Sequence, residues 1–191
     1  GGASFSRSAV ALATSEGFFG RYAATNHSIG VAVLAGEGTS MERDYESVSA
    51  RHEADLEGAE QVGRRAGERT VKRLNPRKIK SQSVPVIYEP RVASGLLGHF
   101  AGAISGSAIA RGVSFLKDRM NDQVFASGIN IVDDPHRLRG LRSKPFDGEG
   151  VHNRRMNLVE NGVLRTWLLD CASAKQLGLT TTGHASRGTG G

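Results

Sequence analysis

Partial alternation of apolar and polar positions dominates the first quarter of the chain. Residues 4–14, SFSRSAVALAT, are rich in Ser, Val and Thr and predict a strand. A turn follows at Ser15, Glu16 and Gly17. Residues 18–27 and 28–35 predict two further strands, the second with Val31 and Val33 on one face. Gly36-Glu37-Gly38 breaks the pattern, and residues 42–50, ERDYESVSA, predict a fourth strand. Short strands joined by small polar turns imply an antiparallel meander.

The period then changes. Leu56, Ala59, Gly63, Ala66, Thr70 and Leu74 recur at three and four residues, the stripe of an amphipathic helix. Asp55 is the expected N-cap, with Glu57 and Glu60 in the first turns, where the helix dipole favours negative charge. Asn75-Pro76 is the expected end, because a residue before proline avoids the helical region. Residues 83–89, SVPVIYE, predict a strand whose Pro85 suits an edge or first position.

Residues 90–110, PRVASGLLGHFAGAISGSAIA, form the longest weakly polar stretch and predict the central helix. Proline is tolerated in its first turn. Leu96, Leu97, Phe100 and Ile104 give it an apolar side, and its many small residues allow close approach of other backbone. His99 stands alone in the middle. Beyond it, a short helix over 114–120 with Ser114 as N-cap and a bent strand or strand pair over 123–132 are expected. Turns are expected at 133–135 and 145–150. Residues 151–159 and 163–169 flank Asn161-Gly162, the strongest hairpin signal in the chain, since both central residues of a type I′ turn need positive φ. A last short helix over 172–177 closes at Gly178. The fold class is therefore α+β, a mostly antiparallel sheet with two main helices. Residues 1–82 hold the first strands and long helix, and residues 83–191 begin a second region.

Composition narrows the function classes. With 38% hydrophobic and 23% charged residues among 191, the chain reads as globular, and 25 glycines fit a turn-rich, sheet-rich protein. No apolar run reaches the ~18 residues of a membrane span. The N-terminal GGASFSRSAV lacks the features of a signal peptide, and both ends, SRGTGG included, suit an internal piece of a longer polypeptide. Cys171 is the one cysteine; it excludes an internal disulfide, fits a reducing cytoplasm and is expected to be a small buried residue. The net charge of +6 raises nucleic acid as a partner. However, aromatics are few and do not interleave with the cationic clusters, so no stacking platform is visible. The basic residues after Arg64 alternate with Glu57, Glu60 and Glu68, which suggests a solvated helix face.

The candidate chemistry is thin. A zinc peptidase helix needs two histidines and a glutamate base on one face. His99 is followed by Phe100, and Ala103 and Ile104 occupy the next turn, so neither base nor second ligand is present. His52-Glu53 begins a similar pattern, but Leu56 and Glu57 stand where the second histidine would be. Asp133, Asp134, His136, Asp147, Glu149 and His152 could together bind a divalent cation. Turn capping by Asx hydrogen bonds is the better reading of them. No Gly-x-Ser-x-Gly elbow occurs, and no glycine pattern marks a phosphate loop.

The order of segments carries more than any one motif. Residues 43–120, including VIYEPRVASGLLGHFAGAISGSAIARGVSFL, then 129–151, INIVDDPHRLRGLRSKPFDGEGV, and 158–188, LVENGVLRTWLLDCASAKQLGLTTTGHASRG, resemble the middle of the TldD/PmbA family, named for modulation of DNA gyrase. The TldD kind of subunit carries His-Glu-x-x-x-His near the position of His99; the PmbA or TldE kind lacks it. Here Phe100 replaces the glutamate and Ile104 the second histidine, so the chain resembles the PmbA/TldE kind. The resemblance implies a cytoplasmic heterodimer with a TldD-type catalytic subunit that holds zinc and cleaves unfolded or extended peptides, as in microcin maturation and antitoxin degradation. This chain would then have no catalytic residue, metal or cofactor of its own. His99, Phe100 and Ile104, at the degenerate motif, would be candidate peptide-cleft residues. The expected partners are the catalytic subunit and a peptide, with no membrane or nucleic acid. The alternatives are an active metallopeptidase whose other ligands lie outside these residues, and a nucleic-acid- or gyrase-associated binding protein.

Overall fold

The computed structural model describes residues 1–187; the last residues of the SRGTGG end lie outside the described residues. The chain divides into two compact units. The first comprises Gly1–Val10, Tyr22–Pro85 and Arg139–Leu141, and the second Ala11–Arg21, Val86–Leu138 and Arg142–Gly191. The architecture is α+β, with two three-stranded antiparallel sheets, as the alternating pattern implies.

The first sheet has the order β1-β2-β3, from β1 (Gly2–Ala13), β2 (Phe19–Ala35) and β3 (Glu42–Ala50). The two strands expected over 18–35 are one strand of 17 residues. No turn former separates them, and β3 pairs with its second half from Ala35↔Glu42 to His27↔Ala50. Directly opposed residues share a face. Val31, Val33 and Ala35 therefore lie on the same face as Glu46, Asp44 and Glu42.

Helix α1 (Ala59–Lys72) covers that end of the face. It starts later than expected. Asp55 ends a short 3-10 turn, and both its carboxylate oxygens take Arg139 Nη1 at 2.8 and 2.9 Å, so Gly58 is the N-cap. The buried stripe is Val62, Ala66 and Thr70. Thr70 Oγ1 donates to the Ala66 carbonyl at 2.7 Å, as buried helical threonines do.

The basic side of α1 is not simply solvated. Arg65, Arg69 and Arg73 recur every four residues and meet the acids that recur every two residues on β3. Arg69 pairs with Glu46, Arg65 also reaches Glu46 at 3.4 Å, and Arg73 approaches Asp44 and Glu42 at 3.7 and 3.5 Å. Four helical residues rise ~6.0 Å and two strand residues ~6.8 Å, so an antiparallel helix and strand stay nearly in step over three rungs. Glu46 and Asp44 are buried, so the guanidinium groups satisfy carboxylates that would otherwise be costly to bury.

Residues 76–89 contain neither helix, turn, bend nor paired strand. The strand expected over 83–89 therefore does not form. Among the described residues no neighbouring strand offers it a ladder, and Pro85 removes a donor of its own. Its apolar side chains face solvent, Ile87 at 96% exposure.

In the second unit, α2 (Pro90–Ala103) and α3 (Gly106–Ala110) replace the one long helix expected over 90–110. The break has a backbone cause. The Ile104 carbonyl accepts from Leu168 N–H at 2.9 Å, and Gly106 N–H donates to the Leu168 carbonyl at 2.7 Å, so these groups leave the helical ladder. The second sheet, β4-β5-β6, consists of β4 (Ile131–Asp133), β5 (Met156–Glu160) and β6 (Val163–Leu164). Asn161 and Gly162 join β5 to β6 with φ of 48° and 81°, the hairpin the sequence signals. Only residues 131–133 of the strand expected over 123–132 form. The helix expected over 114–120 is a series of turns, in which Ser114 Oγ donates to the Ala103 carbonyl at 2.6 Å and accepts from Leu116 N–H. Helix α4 (Cys171–Leu177) is capped by Asp170 and ends at Gly178, φ 66°. The core of this unit joins Phe100, Ile104 and Ile109 to Leu158, Val159, Leu164, Trp167 and Leu169.

Candidate functional site

The second half of α2 carries the degenerate motif, and the structure separates its three residues. Phe100 is buried edge-to-face against Phe125, ring centroids 5.2 Å apart. Ile104 is 0% exposed in the centre of the core. His99, one position before Phe100, is exposed on another side of the helix. Leu96 and Leu97, expected on the packed side, are about half exposed, at 48% and 54%. Thus α2 is anchored by its last turn and presents His99, Leu96 and Leu97 outward from the rest.

Zinc does not fit these positions. The groups where a general base and a second ligand would stand are hydrocarbon and turned into the core. Among the described residues no group of three or more His, Cys, Asp and Glu side chains could hold a metal ion.

The acid and histidine group of 133–152 is dispersed among structural tasks. Asp147 is 2% exposed; its Oδ1 accepts the N–H groups of Glu149 and Val151, and its Oδ2 that of Ala185, all at 2.9 Å. Asp134 Oδ1 accepts from His136 N–H, an Asx turn. His136 Nε2 meets Asn153 Oδ1 at 2.8 Å, and His152 packs edge-on to Phe18. Asp133 Oδ2 lies 3.1 Å from His184 Nε2, and the other ring nitrogen of His184 lies 2.9 Å from Thr182 Oγ1. Thr182 Oγ1 is itself occupied by Leu169 N–H at 2.7 Å, so this chain of contacts pins residues 181–185 to β4.

Cys171 is exposed, contrary to the usual burial of a free cysteine. It sits at the first position of α4, where its N–H donates to Glu149 Oε2 at 2.8 Å. Hydrogen bonding to the Glu149 carboxylate, with burial adding to it, pushes the thiol pKa up. Glu149 is also held by Arg187, which lies 3.7 Å from Asp170. The Asp170 carboxyl is held below the ordinary range, first by the Ser173 hydroxyl and then by Ser173 N–H.

One feature of the first unit escaped the sequence reading. Beyond the end of the sheet face that α1 covers, Phe5, His27 and Ile29 line an open cavity of about 720 Å³ with Leu56, Glu53 and Glu57. The Phe5 and His27 rings lie 4.8 Å apart. The available signal was the shared face of residues 27, 29, 31 and 33, of which only the last two stood out as apolar.

No helix among the described residues is long and apolar enough to cross a membrane. Two such sheet-and-helix units in this order define a metallopeptidase-type chain, and comparison with known proteins gives the family. Residues 2–74 match the PmbA/TldA metallopeptidase central domain and residues 81–191 the PmbA/TldA metallopeptidase C-terminal domain. The chain belongs to the TldD/PmbA family. It is 43% identical over 90% of its length to metalloprotease PmbA of Escherichia coli O157:H7, and 40% identical over 90% to a PmbA homolog of Haemophilus influenzae. It spans 38% of the length of each. A crystal structure from Bacteroides thetaiotaomicron, of a protein named for modulation of DNA gyrase, matches 96% of the chain with TM-score 0.90 and 27% identity, over 42% of its own length. TldE from Thermococcus kodakarensis, at 23% identity, shares the fold over 98% of the chain with TM-score 0.85, over 42% of its own length.

Proposed function

We propose that this chain is part of a PmbA/TldE-type, non-catalytic subunit of a zinc metallopeptidase complex that acts on unfolded or extended peptides, as in microcin maturation and antitoxin degradation. Its partner is a TldD-type subunit, which supplies the zinc, and the complex works in the cytoplasm. The observation that carries this reading is the burial of Phe100 and Ile104. Where a catalytic subunit of the family needs a general base and a ligand, this chain has two core side chains. Replacing them with a carboxylate and an imidazole would open the core rather than build a site.

A supporting role follows from what α2 leaves outside. Leu96, Leu97 and His99 form a surface of mixed apolar and polar character beside a well-packed last turn. Such a surface can wall a peptide cleft without selecting one sequence, because an extended substrate is held mainly through its main chain.

The test is peptide hydrolysis by the full-length protein, alone and mixed with its TldD-type partner. Activity is expected only in the mixture and is expected to be lost on chelation. Chelator-sensitive hydrolysis by the subunit alone overturns the reading.

A further inference from the structure

We propose that the open groove on the first sheet is an exosite for an extended peptide segment in which lysine or arginine alternates with apolar residues. The inference rests on the reading above in one respect, that the protein handles extended peptides.

The groove follows from how α1 covers its sheet. The helix lies over the end of the face that carries Val31 and Val33, and leaves Phe5, His27 and Ile29 of the same face uncovered. The opening of about 720 Å³ is within the range of ligand sites. Leu56 closes one side and the Phe5–His27 ring pair forms an apolar floor. The strand order puts β1 at the sheet edge, and among the described residues no strand pairs with its outer side. An added strand would place every second side chain on the face of Phe5.

Charge selects the occupant. The lining includes Glu53 and Glu57 and no lysine or arginine. Glu57 is taken by Arg65, whereas Glu53 makes no ion pair among the described residues. A basic side chain on the added strand would meet the Glu53 carboxylate, and could lie against the aromatic floor as well. Phosphate groups of a nucleic acid would meet two carboxylates, so a polyanion does not fit, despite the chain's net positive charge.

The test uses the full-length protein and fluorescence anisotropy with a labelled ten-residue peptide alternating lysine and valine. A counterpart with glutamate for lysine is the control. The lysine peptide is expected to bind more tightly. Glu53→Lys is expected to weaken its binding about fivefold, the size of one partly exposed ion pair. Since Glu53 is exposed, this variant is expected to keep the parent circular dichroism spectrum. Phe5→Ser is expected to weaken both peptides. Equal binding of the two peptides, or no effect of Glu53→Lys, overturns the proposal. So does a concentration-dependent dimer in sedimentation that the lysine peptide cannot dissociate, since a second copy would then fill the groove. Binding that ignores Glu53 sinks the groove and leaves the subunit reading standing. Glu53-dependent binding without partner-dependent hydrolysis does the reverse.

Discussion

Asp147 Oδ2 accepts the backbone N–H of Ala185 at 2.9 Å, across 38 residues of sequence, in a site where both residues are buried. The other carboxylate oxygen holds two N–H groups of its own turn. One ionised side chain thus satisfies three backbone donors and fixes residues 183–187 beside the 145–150 turn. Asp147→Asn keeps the shape but turns an amide N–H₂ toward donors. The expected loss is about 2–3 kcal/mol, read from urea denaturation of the full-length protein, with Asp147→Ala at least as damaging. A loss within error of zero would remove this account.

Asp170 sets a pH dependence. Its folded-state pKa lies below the ordinary 3.8 because the Ser173 hydroxyl and N–H bind the carboxylate. A depressed carboxyl contributes stability that is present above its unfolded value and is lost as the pH falls through the lower folded value. Asp170→Ala is expected to cost about 1 kcal/mol at pH 7, as for other lost N-caps. The difference between parent and variant should shrink as the pH is taken below 3.8, the ordinary value. Thermal melts at pH 7 and at acid pH measure it; a gap that widens in acid contradicts the assignment.

Cys171 is exposed but is expected to be a poor nucleophile. The neighbouring Glu149 carboxylate favours the protonated thiol, so less thiolate is present at a given pH. Iodoacetamide at pH 8, followed by mass spectrometry, should label it more slowly than a cysteine in an unstructured peptide. Glu149→Gln should speed the labelling. Labelling at the peptide rate in the parent protein would show that exposure outweighs the carboxylate.

Arg69 and Glu46 are coupled. Arg69→Ala leaves the nearly buried Glu46 with Arg65 at 3.4 Å as its remaining ion pair in this row, and about 1–3 kcal/mol of stability should be lost. Adding Glu46→Ala should cost less than the sum of the two single changes, because the second removes the group the first left poorly paired. Strict additivity in a double-mutant cycle would show that the pair does not interact.

Phe100→Glu with Ile104→His rebuilds the letters of the zinc motif around His99. It should not rebuild the chemistry. Both positions are core, and burying a carboxylate and an imidazole there is expected to cost more than about 4 kcal/mol. Denaturation and metal analysis of the double variant check this. A folded protein with stoichiometric zinc would contradict the burial argument.

What the sequence disclosed follows a physical line. The α+β class, the Asn161-Gly162 hairpin, the Gly178 cap and α2's start at Pro90 were legible, since each depends on local backbone preference. The break at Ile104 and Ser105 was not, because it arises from backbone bonds to Leu168, more than sixty residues away. The same holds for residues 83–89. Their composition favours a strand, but a strand exists only where another supplies the ladder. The Arg65–Arg69–Arg73 row was visible as charge and misread as solvated, since the acids that meet it lie on β3. At the degenerate motif the sequence showed which chemistry is missing at positions 100 and 104. It could not show that these side chains face the core while His99 faces outward. The Phe5–His27 groove depends on where α1 stops covering the sheet, and no local pattern encodes that.

The three rungs between α1 and β3 behave like a vernier. The two spacings differ by under ~1 Å per rung, so the scales coincide over a short span and would drift apart by a bond length or more if the row were much extended. Phase matters more than length. One residue inserted in the middle of β3 would send part of the acid row to the opposite face of the sheet. The arginines beyond the insertion would then face Arg43, Tyr45 or Ser47 in place of carboxylates. A two-residue insertion would preserve the face and shift only the partner. The seam between this helix and strand therefore tolerates even steps and rejects odd ones, which makes it a parity check on the alignment of the whole first unit.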